Sequence, residues 1–437
     1  MQILVVSQYW EPENGVPQRR WAWLSQLLQE SGHSVTVIAP PPHYDRKLSL
    51  KEWWVTRKYR SAIESSALQP NIRVVRSGFI PSGNSISGKV VNQLAVAFGA
   101  IWLLLRLPGR LKGYRPDLVV GTVPALPTAL VARIASFRFR RPYMIDLRDA
   151  WPDLLSESRK WNAGLGSKSW REKVFGTWVL DFSLKIVETV LNSILQKASA
   201  LTVTSARLQE SLLRRTDVLG SKNEDTILVV RNVFEPKTNA DFLGNRYRDR
   251  PFLNVLYAGT LGRAQNLSNA VKAIKVAQDQ GYEIHLRFIG AGAAKKELIH
   301  LARELDVDVS FEAKVQATQL ADAYHWADTA LVHLTDWPAL ERTVPSKLYE
   351  LMSVGMHVTG VVSGETAELI KRLNAGVVVQ TESPEALAET WIELIKHPEK
   401  RFVTDQGFRW VELNRQVESP TNFLRAINNA LGSSTRG

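Results

Sequence analysis

Thr343-Val-Pro-Ser-Lys-Leu-Tyr-Glu-Leu-Met-Ser-Val-Gly-Met-His-Val-Thr-Gly360 reads as a helix opening followed at once by a buried strand. Pro345 suits the first helical position, where its missing N–H costs nothing, so the amides of Ser346 and Lys347 point out of the helix start. Free amides in that place form an anion site. Glu350 lies one turn beyond Ser346 on the same face, where its carboxylate can accept hydrogen bonds from two neighbouring hydroxyls while the helix start holds a phosphate. Gly355 ends the helix and residues 357–362 read as a strand.

Outward from this stretch, short apolar runs alternate with helical patterns. Residues 3–7, 35–39, 118–121, 143–146 and 200–204 read as buried strands, with crossover helices at 19–31 and 126–136. After a strand at 227–230 comes a turn-rich passage at 232–240 that suits an interdomain linker. A second set of strands follows at 254–258, 285–289, 309–311, 329–333, 357–361 and 376–379. The expected fold is α/β, two doubly wound domains facing across a cleft: 1–235, 236–418, and a last helix at 419–431 with a loose tail. At 437 residues and 45% apolar, the chain suits two packed cores.

The absence of cysteine excludes disulfides, thiol nucleophiles and thiolate metal sites, and fits a reducing compartment. MQILVVSQYW lacks a basic leader and reads as a first strand, so the expected location is cytoplasmic. The net charge of +12 is one-sided: residues 1–200 hold 27 Lys/Arg against 14 Asp/Glu, and residues 201–437 hold 28 against 29. Ten of the fourteen tryptophans precede residue 180, with Trp53-Trp54 inside a basic segment at 46–60. Cationic stems with interleaved tryptophan suit an anionic lipid headgroup layer; a nucleic-acid surface and ordinary solvated charge are the alternatives. We take the membrane reading, without nucleic acid. Residues 90–105 (VVNQLAVAFGAIWLLL) carry no charge and are closed by Arg106, Arg110, Lys112 and Arg115. Sixteen residues fall short of the ~20 that a spanning helix needs, leaving a core helix or one lying in the membrane plane. The pattern at 178–195 reads mainly as core packing.

In doubly wound sheets ligands sit beyond the carboxyl ends of the strands, so the loops there carry the candidates. After the first strand, Gly15 can let a ligand close in, and Arg19 and Arg20 stand near a helix start whose dipole disfavours cations unless an anion is bound. Surface ion pairing is the alternative for either arginine, and His33 after Gly32 is structural. Tyr143-Met-Ile-Asp-Leu-Arg148-Asp149-Ala-Trp151-Pro-Asp153 packs three carboxylates and an arginine at a strand end; this is a site or an ion-pair network. In the second domain, Gly259-Thr-Leu-Gly262-Arg263 puts two glycines and a cation where a diphosphate can lie against backbone. Neither this nor Gly290-Ala-Gly292 has dinucleotide spacing, which speaks against a nicotinamide dehydrogenase. No Walker loop and no metal-binding histidine spacing is present, so metal-independent chemistry is expected.

QYWEPENGVPQRR…SGHSVTVI, DLRDAWPD, YAGTLG and VPSKLYELMSVGMHV, in this order, resemble glycosyltransferase family 4 almost end to end, and in particular its bacterial surface-polysaccharide and cell-envelope members. The resemblance implies the GT-B fold and metal-free transfer with retention of anomeric configuration, from a UDP- or GDP-sugar bound mainly to the C-terminal domain. It implies no cofactor beyond that co-substrate. The acceptor would be a lipid-linked saccharide bound by the N-terminal domain at the inner face of the plasma membrane. Carried over by motif, Gly262 and Arg263 would approach the diphosphate and Ser346 and Lys347 would cradle it. Leu348 would lie in the same binding turn, Glu350 would take the ribose hydroxyls, and Gly15 would close over the phosphates. Asp149, Arg263 and Lys347 are the expected catalytic residues; Arg19, Arg148 and Trp151 are the acceptor-side or phosphate candidates. Two departures stand out: family 4 often carries a glutamate where this chain has Arg342, with Glu341 beside it, and a lysine near the position of Asn266. A nucleotide-sugar epimerase and a non-catalytic binding protein are the rival readings.

Overall fold

The computed structural model describes residues 1–13, 15–43, 49–55, 63–65, 72–81, 86–110, 112–151, 153, 177–220, 222–235, 250–315 and 317–432. Most of the basic segment at 46–60 and of the linker at 232–240, and all of Pro152 and the tail at 433–437, lie outside the described residues. The chain divides into two compact units, Met1–Phe234 with Val417–Gly437, and Glu235–Gln416.

The first unit holds β1 (Gln2–Val6), β2 (Ser34–Ala39), β3 (Ile63–Ser65), β4 (Arg73–Arg76), β5 (Leu118–Val123), β6 (Tyr143–Leu147), β7 (Ala200–Val203) and β8 (Ile227–Val229). Its helices are α1 (Val16–Glu30), α2 (Leu50–Val55), α3 (Ile86–Arg110), α4 (Leu126–Phe139), α5 (Thr177–Lys197), α6 (Ala206–Leu213) and α7 (Thr216–Leu219). The second unit follows with β9 (Phe252–Ala258), α8 (Ser268–Asp279), β10 (Glu283–Ile289), α9 (Lys295–Glu304), β11 (Val309–Glu312), α10 (Ala317–Trp326), β12 (Thr329–His333), α11 (Ser346–Ser353), β13 (Val358–Val361), α12 (Gly364–Arg372), β14 (Gly376–Val379), α13 (Pro384–Lys396) and α14 (Gln406–Leu413). Helix α15 (Ser419–Gly432) then completes the first unit.

Sheet order is β3-β4-β2-β1-β5-β6-β7-β8 in the first unit and β11-β10-β9-β12-β13-β14 in the second. All pairings are parallel except β3 on β4. Both sheets run outward in both directions from a central pair, β1/β5 and β9/β12, which is the dinucleotide-fold order with its switch point between those strands. The carboxyl ends of these pairs therefore mark where each unit takes a ligand.

The central strands form because they are buried on both faces, which calls for unbroken apolar runs such as residues 3–6 and 118–120. Strands β3 and β4 have no counterpart among the expected strands. Strand β4 is four residues bracketed by arginines, and its Arg76 is buried with the guanidinium donating to Pro40 O (3.2 Å) and Glu11 O (3.1 Å). Helix α15 returns to the first sheet because Phe423, Ala426, Ile427 and Ala430 recur at helical spacing and are all fully buried, Phe423 edge-on to Trp21 at 6.1 Å. Helix α3 is core along one side and exposed along the other: Val96, Ala100, Leu103, Leu104 and Leu107 are core, while Val90, Leu94, Phe98, Trp102 and Leu105 are exposed. Helix α5 departs from pure core packing in the same way, exposing Ile186, Val187 and Val190.

The expected anion role of Arg20 is replaced by a structural one. Arg20 is fully buried and grips Asp146 through Nη2–Oδ1 (2.7 Å) and Nε–Oδ2 (3.0 Å), while Nη1 donates to Val230 O (2.8 Å) and Asn232 Oδ1 (3.0 Å). Trp21 Nε1 (2.9 Å) and Thr202 Oγ1 (2.8 Å) complete the carboxylate's shell. Burial pushes the Asp146 carboxyl up, but Arg20 and these donors outweigh it and hold it below the usual carboxylate range. Arg20→Ala should destabilise this unit by about 3–5 kcal/mol, because a buried charge loses its partner. Arg20→Lys, which lacks the planar fork, should fall between. Equilibrium denaturation followed by tryptophan fluorescence checks this, and a loss under about 1 kcal/mol for Arg20→Ala contradicts it.

Candidate active site

In the second unit the candidates gather at the switch point. Gly259–Gly262 follows β9 and runs beside the loop after β10: Gly259 N donates to Ile289 O (3.0 Å), Leu261 N to Ala291 O (3.0 Å) and Ala294 N to Leu261 O (3.0 Å). The two loops lie so close that a Cβ on Gly290 would stand 1.9 Å from Gly259 O, and one on Gly292 2.0 Å from Leu261 O. These two glycines are therefore required by the fold. Gly262 is different: its φ of −111° is open to any residue, and a Cβ there would meet only the tip of Gln265 at 2.6 Å. Arg263 follows on the surface, and the loop's carbonyls at Arg263 and Ala264 are held by Thr335 Oγ1 (3.1 Å) and Thr335 N (2.9 Å) from the loop after β12. Asn266, in the lysine's expected neighbourhood, takes a left-handed conformation (φ +38°) that closes this turn.

The loop that carries Thr335 leads into α11. Pro345 caps it in extended conformation and Leu348 N donates to Pro345 O (2.9 Å), so the amides of Ser346 and Lys347 head the helix. Leu348 itself is fully buried and its amide is engaged by Pro345 O, so its side chain supports the helix start. Lys347 and Glu350 are both within reach of Tyr324, a fully buried side chain on α10. Lys347 Nζ donates to Tyr324 Oη (3.2 Å) and to Glu350 Oε2 (3.1 Å), and Tyr324 Oη donates to Glu350 Oε1 (3.1 Å). This closed triangle fixes a carboxylate and an ammonium one turn inside a helix start. Lys347 retains a third N–H for a ligand, and each carboxylate oxygen of a glutamate such as Glu350 accepts more than one hydrogen bond. Tyr324 carries no sequence signal, since it occupies an ordinary core position of its helix; only its hydroxyl end marks it.

His333, at the end of β12, lies under this loop with Nε2 3.0 Å from Asn269 Nδ2. Burial pushes its pKa down to about 3, so it stays a neutral support. Glu341 and Arg342 lie in a short 3-10 turn, and Glu341 O would stand 2.1 Å from a Cβ on Gly364. That turn is thus packed by its backbone.

In the first unit Gly15 caps α1 in extended conformation, and a Cβ would meet only Gln18 Oε1 (2.5 Å). It parallels Gly262. Arg19 is half-buried, its guanidinium 4.3 Å from the Phe234 ring. At the end of β6, Arg148 is buried with its amide on Val123 O (3.3 Å) and its carbonyl accepting from Thr204 Oγ1 (2.9 Å). Its Nε and Nη1 are buried donors with no hydrogen-bond partner among the described residues, while Nε1 of half-buried Trp151 faces the Asp149 carboxylate. Two orphan donors on one buried guanidinium are costly unless something accepts from them. Between them Asp149 is half-buried; burial raises its pKa above the ordinary carboxylate value, against the lowering effect of Arg148. Beside this cluster Gln8 Nε2 (2.9 Å) and His43 Nε2 (3.3 Å) meet Oδ1 of buried Asn92 from α3, a polar group that sequence reading missed. Among the described residues no cluster of three His, Asp or Glu converges to hold a metal ion.

Residues 15–218 match the family model of the glycosyl transferase 4-like domain, and residues 247–406 that of glycosyl transferases group 1. No curated protein sequence matches. Solved structures similar in fold include sucrose-phosphate synthase from Thermosynechococcus elongatus (TM-score 0.66, 16% identity, 99% of each chain covered). Others are Anabaena HepE in complex with UDP and glucose (TM-score 0.58, 15% identity, 99% of this chain and 100% of that one) and the lipopolysaccharide outer core galactosyltransferase WaaB (TM-score 0.58, 16% identity, 99% of each). With two dinucleotide-fold units of this order, the chain is an enzyme of glycosyl transfer with the GT-B fold. It belongs to the family-4 type of glycosyltransferases.

Gly290→Ala should cost more than ~2 kcal/mol in stability, since both its φ of +156° and the Gly259 carbonyl oppose a Cβ. Gly262→Ala should stay within ~0.5 kcal/mol of wild type, as surface changes usually do. Thermal melts of the two variants decide it, and equal losses would show that the fold needs both glycines alike.

Proposed function

We propose that the protein transfers a sugar, with retention of configuration and without a metal ion, from a nucleotide sugar to a lipid-linked saccharide at the cytoplasmic face of the plasma membrane in cell-envelope or polysaccharide assembly. The observation that carries the donor half is the Lys347–Tyr324–Glu350 triangle at the start of α11, beside a glycine-and-arginine loop whose Gly262 the fold does not require. A nucleoside diphosphate matches it part by part: vicinal ribose hydroxyls to Glu350, phosphates to the amides of Ser346 and Lys347, to Lys347 Nζ and to Arg263. HepE, of like fold, was solved with UDP, so a UDP-sugar is the first donor to try and a GDP-sugar the second.

Glycosyl transfer passes through an oxocarbenium-like state as the nucleoside diphosphate leaves, so fixed positive charge on the departing phosphate is the main aid. Arg263, Lys347 and the helix start supply that charge. The acceptor hydroxyl attacks the anomeric carbon on the face the phosphate leaves, its oxygen forming the new glycosidic bond as the C–O bond to phosphate breaks. Its proton passes to the leaving phosphate oxygen. On the acceptor side, the unpartnered donors of Arg148 suit phosphate or sugar oxygens, and Asp149, with Trp151 beside it, holds a hydroxyl by accepting from it.

Asp149 works in this scheme as the anion, and its pKa is raised, so activity should fall with acidification above the ordinary carboxylate range near ~4. Asp149→Asn should lower kcat ~100-fold and erase that acid limb. A transfer assay across pH, with EDTA present and product configuration read by NMR, tests each part. Full activity in Asp149→Asn removes that role; inhibition by EDTA or an inverted product overturns the metal-free or retaining reading. Isomerisation of the donor without acceptor identifies an epimerase.

A further inference from the structure

Helices α3, α4 and α5 form one layer of the first unit: α4 packs on β5 and β6 with α3 on one side and α5 on the other, while α15 covers β5 to β8 and packs on α1. The two layers therefore take opposite faces of the sheet. The α3–α4–α5 layer is apolar on its outer side as well as its inner one. Val90, Val91, Leu94, Phe98, Trp102 and Leu105 on α3, Leu130 and Phe137 on α4, and Ile186, Val187 and Val190 on α5 are exposed, Phe98 at 74% and Phe137 at 84%. In the second unit, among the described residues, only Phe402 and Leu413 are large hydrophobic side chains of this exposure. An apolar face so concentrated is covered by something.

The charge around it says what. Helices α3 and α4 contain no Asp or Glu in 25 and 14 residues, and α5 balances Asp181 and Glu188 with Lys185 and Lys197. The first two carry Lys89 and Arg106 at the ends of the α3 stripe and Arg133 and Arg138 on α4, with Arg140 and Arg141 just beyond. Arg106 lies over the Trp102 ring at 4.3 Å, an apolar body with a cationic rim. A second copy of the same face would set these like charges against each other. A bilayer with anionic headgroups takes both the stripe and the rim.

Gly88–Leu107 is long and apolar enough to cross a membrane. Its position excludes that: spanning would strip Val96, Ala100, Leu103, Leu104 and Leu107 from the core, and Asn92 Nδ2 from Ile80 O (2.6 Å). We propose that the outer face of the α3–α4–α5 layer is an in-plane docking surface for an anionic lipid bilayer. Asn92 ties the first turns of α3 to Gln8 and His43 at the carboxyl edge of the sheet, so the membrane-facing layer begins at the acceptor-side loops. That last step alone rests on the acceptor assignment above. A lipid-borne headgroup then reaches those loops without leaving the bilayer surface.

The test is flotation of the full-length protein with phosphatidylcholine vesicles and with phosphatidylcholine–phosphatidylglycerol vesicles, in the absence of donor and acceptor. Wild type should float with the mixed vesicles and be released by alkaline carbonate; F98E with W102E should bind at least ~10-fold more weakly, as two buried aromatic contacts are lost. Both positions are exposed, so the melting temperature should not move. Transfer to a soluble acceptor should persist in the double variant, which separates loss of docking from failure of the transferase reading. Unchanged vesicle binding in the double variant overturns the surface. So does a wild-type dimer that the variant makes monomeric, and so does resistance to carbonate extraction.

Discussion

Asp146 accepts hydrogen bonds from four donors in the middle of the first unit, and the position of everything functional there follows from it. Arg20 and Trp21 bring α1 to the carboxylate, Thr202 brings β7, and the free arm of Arg20 reaches the end of β8. Gly15 stands five residues before Arg20, and Arg148 and Asp149 stand two and three residues after Asp146. One buried ion pair thus sets both flanks of the switch point. Being depressed, the Asp146 carboxyl contributes stability above its unfolded-state pKa and loses it as the pH falls through its folded value, so the frame holds at neutral pH.

The second unit reaches the same end by close backbone approach. Glycines 290 and 292 let two loops share hydrogen bonds, Thr335 ties that pair to the loop before α11, and the fixed backbone delivers Arg263 and the helix start to one edge. The triangle of Lys347, Tyr324 and Glu350 then holds opposite charges side by side before any ligand arrives. Such preorganisation matters because charge that need not reorganise stabilises a leaving phosphate most.

Much of this architecture is legible in the chain because doubly buried parallel strands leave unbroken apolar runs, as at residues 3–6 or 118–120. What stays hidden depends on contacts between distant positions. Arg19 and Arg20 are adjacent and alike in sequence, yet only one turns inward onto Asp146, 126 residues away. Tyr324 looks like any core tyrosine until Lys347 and Glu350 are set beside its hydroxyl, and Leu348 sits within a binding motif while pointing into the core. The glycines divide the same way. Gly262 and Gly290 are equivalent on paper, and only the second has a carbonyl where its side chain would be. Helix α3 shows why an apolar run does not by itself mean a fully buried helix: one face is core and the other is exposed.

Calorimetric titration of UDP and GDP into the wild-type protein and Glu350→Ala measures the donor site most directly. One nucleotide should bind one-to-one, and the variant should bind it at least ~10-fold more weakly, the loss expected when hydrogen bonds to a charged group are removed. Binding of neither nucleotide, or equal affinity in both proteins, would contradict a donor site built on α11.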